Sequence, residues 1–326
     1  MRSVVFKQFG SPGEVLGSGD QPVPEPGPGQ VRIKLIQSPI HNHDLAIIRG
    51  IYGYKPTLPA VPGTEAVGTI DKLGPDTTDL QLGQRVAVAG VAAAWAEFFL
   101  AKAAAAVPVP PGLNDDQACQ LLAMPLSAYM ALDDLGLKAG EWMIQNAANG
   151  AVGQMIDALA KERGVNVINL VRRAQSAEQL QAEGARHVLA TDDAGWAAKV
   201  AQITAGAPVA RAVDSIGGKA ANDLMNVLGF GGWLMSFGAM SGEPMVIDVA
   251  NVVFKQTTIK GFWATKRTEQ TSGGETRRMI TELVQLALAG RLPLRVAAKF
   301  PLAQAGQAAV ASERPGRAGK IVLRAD

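Results

Sequence analysis

The sequence predicts an α/β fold with two domains, one built on a doubly wound parallel sheet with helices on both faces and one rich in β-strands. Three observations support this prediction. The chain has 326 residues, and globular domains average roughly 150 residues. From residue 142 to residue 262, strand-like and helix-like segments alternate, which is typical of a parallel sheet. Over the first hundred residues, short apolar runs alternate with glycine and proline clusters, which favours a compact, barrel-like β domain.

The β-rich domain is predicted from short runs with strand periodicity. These runs are residues 31–36, 67–73 and 86–91. Glycine and proline clusters at residues 22–29 and 56–63 provide turns between them. The end of the chain offers a long helix at 275–289 and strands at 296–300 and 321–323. We expect this tail to return and complete the first domain.

The parallel-sheet domain is expected to begin with a helix. Asn114 is a predicted N-cap, because Asp115 and Asp116 follow in the first turn, where the helix dipole favours negative charge. Helical spacing then extends from residue 118 to residue 135. The strands expected after it are residues 142–147, 165–171, 187–189, 209–213, 233–237 and 257–262, and the helices are 152–163, 176–183 and 195–204.

Composition and charge exclude several classes of protein. Hydrophobic residues make up 48% of the chain and the formal net charge is +2, so neither disorder nor a nucleic-acid or polybasic membrane surface is expected. The single cysteine, Cys119, excludes an intramolecular disulfide and a cysteine-cluster metal site and suits a reducing compartment. The most apolar run, residues 86–96, is too short for a membrane helix, and residues 1–6 read as a strand rather than a secretory signal. The expectation is a cytoplasmic protein.

A glycine-rich turn between the first strand and helix of the parallel-sheet domain predicts a dinucleotide site. In the pattern Ala148-x-Gly150-x-x-Gly153, Gly150 allows the backbone to approach a pyrophosphate and Gly153 allows the helix to pack closely on the strand. The pattern alone is weak, because such turns also serve packing, but its place between an apolar strand and an amphipathic helix strengthens the prediction.

The residue that follows the second strand indicates which dinucleotide is bound. Arg172 lies 19 positions after Gly153, where an NAD-binding protein usually carries an acidic residue for the ribose hydroxyls. A guanidinium binds a 2′-phosphate with two charge-assisted hydrogen bonds, which favours NADPH over NADH. The alternative interpretation is that Arg172 and Arg173 form a solvated strand end.

Several motifs together resemble the zinc-free branch of the medium-chain dehydrogenase/reductase superfamily, in particular 2-enoyl thioester reductases and quinone oxidoreductases. The stretches that carry the resemblance are residues 38–44 (SPIHNHD), 49–53 (RGIYG), 58–63 (LPAVPG), 144–149 (IQNAAN), 214–219 (DSIGGK) and 260–263 (KGFW). The resemblance spans nearly the whole chain. It implies a Rossmann NADPH-binding domain at 118–266 and a GroES-like catalytic domain formed by 1–117 and 267–326, with the protein as a homodimer.

The resemblance also implies a site without zinc. Zinc-dependent members bind the metal through Cys, His and Cys, and these positions hold His41, Thr64 and Ala123 here. His41 and His43 are interpreted as an extended His-x-His segment that presents two ligands on one side, too few for zinc. On this view His41 lines the substrate cleft, and His43 or Asp44 holds the local backbone.

Tyr52 matches the position at which enoyl thioester reductases carry a tyrosine implicated as proton donor, and its alternative role is packing beside Tyr54. His41 is a second candidate donor, since this segment departs from the Asn-Pro-x-Asp of relatives. The cofactor contacts that the resemblance implies are Asn149, Gly150, Ala151, Val152, Gly153, Arg172, Arg173, Phe237, Gly238, Ala239, Met240, Phe262, Trp263, Ala264, Thr265 and Lys320. For Phe237, Phe262 and Trp263, the alternative interpretation is that they pack in the core.

The expected activity is NADPH-dependent reduction of an α,β-unsaturated carbonyl compound, first of all a 2-enoyl thioester. The hydride adds to the β-carbon and a proton to the α-carbon. Two alternatives stay open: an NADPH quinone oxidoreductase, which needs no specific proton donor, and a crystallin-like protein that binds NADPH without turnover.

Overall fold

The computed structural model describes residues 1–325, and the chain forms two compact units. One comprises residues 1–123, 282–290 and 294–325, and the other comprises residues 124–281 and 291–293. The first and the last described residues therefore lie in the same unit. The sequence places its two domain boundaries earlier, at 117/118 and 266/267.

The first unit is rich in strands. Its strands are β1 (Arg2–Val5), β2 (Gly17–Asp20), β3 (Gln30–Pro39), β4 (Glu65–Leu73), β5 (Arg85–Ala89), β6 (Phe98–Lys102), β7 (Val107–Pro108), β14 (Val296–Pro301) and β15 (Lys320–Arg324). Its helices are α1 (Pro12–Val15), α2 (Asn42–Arg49), α3 (Asp115–Ala118) and α12 (Ala305–Glu313), with 3₁₀ turns at Ala103–Ala105 and Leu302–Gln304. Seven of these strands form one sheet in the order β14-β15-β3-β4-β5-β7, with β6 paired to β3.

Strand β3 is the centre of this sheet, because it pairs antiparallel with β4, β6 and β15. The last strand joins it through Val322, opposite Pro39, and the backbone N–H of Ile40 donates to Ile321 at 2.9 Å. The pairing brings Lys320, near the end of the chain, beside the segment that follows β3. A buried core that includes Phe6, Trp95 and Phe99 supports the arrangement.

The second unit is an α/β structure. Its strands are β8 (Trp142–Gln145), β9 (Asn166–Val171), β10 (Val188–Ala190), β11 (Val209–Asp214), β12 (Leu228–Ser236) and β13 (Thr258–Gly261), and its helices are α4 (Ala123–Leu135), α5 (Ala151–Glu162), α6 (Ala174–Ala182), α7 (Trp196–Ile203), α8 (Lys219–Val227), α9 (Val249–Phe254) and α10 (Ala264–Glu269). Helix α11 (Gly273–Leu288) begins in this unit and ends in the first. The strands are all parallel, in the order β10-β9-β8-β11-β12-β13. This is the Rossmann strand order, whose reversal point lies between β8 and β11, and it confirms the predicted fold class.

Two local predictions need correction, and a third, the N-cap at Asn114, is confirmed. The helix expected over residues 118–135 is two helices, α3 and α4, because the backbone N–H groups of Leu122 and Ala123 turn to donate to the Glu65 carboxylate. Asn114 does cap α3, accepting from Gln117 N–H at 3.0 Å. The extended interpretation of His41-x-His43 is wrong, since α2 begins directly after His41.

Candidate functional site

Three charged or polar side chains from distant parts of the chain meet inside the β-rich unit. His41, which precedes α2, and Glu65, the first residue of β4, have no exposed surface, and Lys320, the first residue of β15, is 8% exposed. His41 Nε2 lies 2.6 Å from Glu65 Oε2, and His41 Nδ1 lies 3.1 Å from Lys320 Nζ. An ammonium can only donate, so Nδ1 accepts and Nε2–H donates to the carboxylate. We call these residues the His41 cluster.

The second oxygen of Glu65 binds the start of a helix. Glu65 Oε1 accepts from the backbone N–H groups of Leu122 and Ala123 at 2.7 and 2.8 Å. The positive end of the α4 dipole and two N–H donors stabilise a carboxylate at this position. Burial nevertheless dominates and raises the pKa of Glu65 to about 7.

Burial acts on the other two members of the cluster in the direction expected for cations. It lowers the pKa of Lys320 to about 8, with Arg317 adding to the effect and Glu65 opposing it. Burial, followed by the Lys320 charge, holds the pKa of His41 well below its usual range. Burial thus opposes charge on all three groups, whereas the hydrogen bonds between them are those of a carboxylate, a neutral imidazole and an ammonium, whose charges cancel.

A second hydrogen-bonded set lies next to the His41 cluster. Thr64 Oγ1 donates to Asp44 Oδ1 at 2.7 Å, and His43 Nε2 lies 2.6 Å from the same Thr64 oxygen. Asp44, which is buried, also accepts from the backbone N–H of His41 through Oδ2 at 2.9 Å. Asp44 thus fixes both the start of α2 and the orientation of the Thr64 hydroxyl.

Tyr52 lies on the loop after α2 and is half-buried. Its ring centroid is 5.9 Å from that of His43, and His43 stacks on His41 with centroids 5.0 Å apart and 19° between the ring planes. The structure therefore brings together Tyr52 and His41, the two predicted catalytic residues, with His43 between them.

The structure corrects the role predicted for His41. Its side chain has no exposed surface and both ring nitrogens have partners within the cluster, so it does not line a substrate cleft. The backbone role that was assigned to His43 or Asp44 belongs to Asp44, and His43 exposes 24% of its side chain. Lys320, predicted to contact the cofactor, has its ammonium against His41 and the carbonyl of Ile40.

The positions that bind zinc in zinc-dependent relatives meet around Glu65, and their residues do not fit the metal. His41 directs Nε2 at Glu65 and Nδ1 at Lys320, Thr64 offers a hydroxyl that is held by Asp44, and Ala123 has no ligand atom. Across residues 1–325, no group of three or more His, Cys, Asp or Glu side chains is arranged to hold a metal ion. The cation beside His41 is the lysine ammonium.

The predicted phosphate-binding turn lies in the α/β unit, at the carboxyl end of β8. Gly150 is the N-cap of α5, which leaves the first N–H groups of that helix as candidate anion donors. A Cβ on Gly153 would lie 2.7 Å from Ala148 Cα and 2.8 Å from Ala148 O. Glycine is required at residue 153 because the helix backbone packs directly against the turn. These features fit a dinucleotide pyrophosphate.

The other predicted cofactor segments follow the carboxyl ends of neighbouring parallel strands. Arg172 and Arg173 follow β9 and are both exposed, and the segments 237–240 and 262–265 follow β12 and β13. Phe237 and Phe262 stack with ring centroids 5.4 Å apart, so part of the predicted aromatic set packs against itself. All these segments lie along one edge of the sheet, where open α/β folds bind their ligands.

Buried polar residues that the sequence analysis did not assign hold this edge in place. Asn146 donates through Nδ2 to Asp214 Oδ1 at 2.6 Å and accepts from Ser215 N–H at 2.8 Å, which ties the end of β8 to the end of β11. Gln145 donates to the carbonyl of Gly153 and to Asn169 at 2.8 and 2.7 Å. The sequence signal that could have identified these residues is the presence of polar side chains at the ends of otherwise apolar strands.

Comparisons with known proteins agree with this geometry. The family model of the alcohol dehydrogenase GroES-like domain matches residues 27–111, and that of zinc-binding dehydrogenases matches residues 151–282. The mitochondrial enoyl-acyl-carrier-protein reductase of Xenopus tropicalis is 29% identical over 332 residues, with 99% of this chain and 95% of the relative covered. The chain belongs to the medium-chain dehydrogenase/reductase superfamily. It is an oxidoreductase of that superfamily.

Two solved structures of the superfamily superpose on the whole chain. A putative NADPH:quinone reductase from Bacillus thuringiensis has a TM-score of 0.92 at 26% identity, with coverage of 100% of this chain and 99% of that one. Quinone oxidoreductase of Escherichia coli, solved as a complex with NADPH, has a TM-score of 0.90 at 26% identity, with coverage of 99% and 100%. Among residues 1–325, every helix is too short or too polar to pass through a lipid bilayer.

Proposed function

We propose that the protein is an NADPH-dependent reductase of α,β-unsaturated carbonyl compounds, with 2-enoyl thioesters as the first substrate class. The observation that carries the proposal is the Tyr52 ring beside His43, whose imidazole is hydrogen-bonded to Thr64. Conjugate reduction needs a group that supplies a proton to the substrate α-carbon, and these residues provide one. The enoyl-acyl-carrier-protein reductase relative supports the same reaction class.

The cofactor is held in this proposal by residues at the carboxyl edge of the parallel sheet. Gly150, Ala151 and Val152 present backbone N–H groups to the pyrophosphate, and Arg172 and Arg173 bind the 2′-phosphate. Segments 237–240 and 262–265 contact the nicotinamide end. Bound NADPH supplies the hydride. The E. coli neighbour was solved with NADPH, which supports this choice of cofactor.

The acid in this proposal is the Tyr52 phenol. Phenols are protonated at neutral pH and therefore donate without prior activation. Once hydride has been added to the β-carbon, the α-carbon of the resulting enolate takes the phenol proton. No step uses zinc, because Glu65 and Lys320 bind the two ring nitrogens of His41, Asp44 and His43 bind the Thr64 hydroxyl, and Ala123 has no ligand atom.

The test is steady-state NADPH oxidation with a short and a long enoyl-coenzyme A. Tyr52→Phe is expected to lower kcat on the order of 10²-fold, with NADPH affinity unchanged. Tyr54→Phe is the matched control, since Tyr54 is 57% exposed and is expected to keep full activity. Wild-type kcat in Tyr52→Phe would rule out the phenol as donor.

A quinone oxidoreductase is the second candidate, favoured by the two solved neighbours that carry this name. Quinone reduction needs no dedicated acid, so Tyr52→Phe is expected to leave it nearly intact. A wild-type enzyme that reduces benzoquinone but no enoyl thioester or enone would establish this alternative. Tight NADPH binding without turnover of any of these would instead support the crystallin-like role.

We also propose a homodimer formed through the edge of the parallel sheet. Strand β13 is the edge strand of this sheet, and its four residues are exposed. On α9, which precedes it in the chain, Val249, Val253 and Phe254 expose 56–79% of their surface. Exposed apolar edges of this kind mark association sites. Light scattering at micromolar concentration is expected to give a dimer for the wild type and a monomer for Ile259→Lys.

The cytoplasm is the proposed compartment, supported by the single buried cysteine. The mitochondrial name of the Xenopus relative makes the mitochondrion the competing location. Immunodetection in fractionated cells decides between them.

A further inference from the structure

The side chains around Tyr52 form a column of rings that runs from the interior to the surface of the β-rich unit. His41 has no exposed side-chain surface, His43 exposes 24%, and Tyr52 is half-buried. Neighbouring ring centroids are 5.0 and 5.9 Å apart. His43 is therefore the member of the column that contacts both the solvent and the proposed acid.

The hydrogen bonds of His43 define which of its nitrogens can exchange a proton. Thr64 Oγ1 donates its proton to Asp44 Oδ1, so the same oxygen must accept from His43, and Nε2 carries a proton in the neutral ring. The second proton of an imidazolium is then carried by Nδ1. Asp44 Oδ1 lies 3.7 Å from His43 Nε2, so a carboxylate lies beside the ring.

The neighbouring groups leave this role to His43 rather than to His41. His41 is held as a neutral ring between the Glu65 carboxylate and the Lys320 ammonium. The ionisable groups in contact with His43 are Asp44, His41 and Tyr52, and Glu65 and Lys320 contact His41 instead.

We propose that His43 is the residue that returns a proton to Tyr52 in each catalytic cycle, with Thr64 and Asp44 as its positioning residues. The proposal rests on the proposed enoyl reductase function. The enolate α-carbon forms its C–H bond as the Tyr52 O–H bond breaks, and the phenolate then takes the proton from His43 Nδ1. His43 becomes neutral and regains a proton from solvent, which it contacts directly. Per turnover, one hydride and one solvent proton enter the product.

The test compares two variants of His43 with two variants of Thr64. His43→Gln keeps an amide N–H for Thr64 but carries no exchangeable positive charge, and His43→Ala leaves space beside Tyr52 that exogenous imidazole can enter. Both are expected to lower kcat for an enoyl-coenzyme A about 10²-fold with KM little changed. Added imidazole is expected to restore His43→Ala at least tenfold and to leave His43→Gln unchanged.

Thr64 variants test the hydrogen-bond chain. Thr64→Ser retains the hydroxyl and is expected to stay close to wild type, whereas Thr64→Val breaks the link to Asp44 and is expected to lower kcat about tenfold. Thermal melting and NADPH titration show whether each variant is folded. Benzoquinone reduction uses no dedicated acid. In His43→Ala, the fold-loss of kcat with benzoquinone is therefore expected to be at least ten times smaller than the fold-loss with the enoyl substrate.

The outcomes separate the two levels of the proposal. A wild-type enzyme without enoyl reductase activity overturns the proposed function itself. An active wild type whose folded His43→Gln and His43→Ala variants keep full kcat overturns the role of His43. Equal losses with both substrates and no rescue by imidazole also overturn it, because they indicate a structural contribution.

Discussion

Replacing Glu65 by glutamine tests whether the His41 cluster is held together by charge. Glutamine has the shape of glutamate, so the change creates no cavity, and its amide oxygen can still accept from Leu122 and Ala123. Its amide nitrogen, however, faces His41 Nε2, which itself carries a proton. His41 can move that proton to Nδ1, but Nδ1 then faces the Lys320 ammonium, 3.1 Å away. Whichever His41 nitrogen carries the proton, two hydrogen-bond donors face each other, either at the glutamine amide or at the Lys320 ammonium.

The magnitude follows from these contacts. A buried hydrogen bond left unmade costs about 1–3 kcal/mol, and breaking a buried ion pair by removing one partner costs about 3–5 kcal/mol. Because the glutamine preserves the two backbone contacts of Glu65, we expect the lower end, a loss of about 3 kcal/mol in the free energy of unfolding. Replacing Lys320 by methionine as well removes the unpaired charge, so the double variant should recover about 1 kcal/mol or more.

The assay is equilibrium unfolding in urea at pH 7.5, followed by far-ultraviolet circular dichroism and by tryptophan fluorescence. Coincident transitions justify a two-state free energy. Glu97→Gln is the matched control, because Glu97 makes an exposed ion pair with Arg2 and such pairs contribute about 0–1 kcal/mol. The reasoning is refuted if Glu65→Gln is as stable as Glu97→Gln, or if the double variant is as unstable as the two single changes added together.

Three further predictions concern pH, packing and cofactor choice. Between pH 4.5 and 7, folded Glu65 keeps a proton that the unfolded chain has lost, and between pH 8 and 10.5, folded Lys320 lacks a proton that the unfolded chain keeps. The free energy of unfolding of the wild type, relative to that of the double variant, should therefore fall with pH in the first range and rise with pH in the second. A difference that does not change with pH would contradict this prediction. Gly153→Ala should destabilise the protein by about 1–3 kcal/mol because its Cβ meets backbone atoms, whereas Gly273→Ala, with open space around it, should not, as thermal melting will show. In a fluorescence titration, Arg172→Asp should weaken NADPH binding about 10-fold or more and leave NADH binding unchanged. The control is Arg186→Asp, at an exposed position before the amino end of β10, which should leave both affinities unchanged. Equal weakening of both dinucleotides by Arg172→Asp would show that the arginine does not contact the phosphate.

The α/β unit could be predicted from the sequence because its determinants are local. The apolar run of β8, the glycines of the turn and the amphipathic face of α5 follow one another within about twenty residues. Each has a physical meaning that needs no distant partner: periodicity gives the element, and a glycine gives a close approach. The Cβ contacts at Gly153 confirm that interpretation.

The His41 cluster and the rings beside it could be predicted only in part, because their geometry depends on residues far apart in the chain. Motif resemblance pointed to Tyr52 and His41, but Glu65 and Lys320 reach His41 only through the pairing of β3 with β4 and with β15. The start of α2 was missed because Asn42, His43 and Asp44 are poor helix formers, and it is Asp44, accepting from the His41 N–H, that stabilises it. A glutamate at the start of the apolar strand β4 was the signal that a buried partner had to exist.

The charges of this site suggest how it differs from a metal-dependent one. A zinc ion would place a divalent cation where substrate oxygen can reach it, but Lys320 supplies a single positive charge that faces His41 and is neutralised by Glu65. The cluster therefore has no excess positive charge to offer a developing alkoxide or enolate. Stabilisation of such charge must come from the more exposed end of the ring column, where Tyr52 and His43 lie. This division makes a reaction that requires a proton donor better suited to the site than one that requires a Lewis acid.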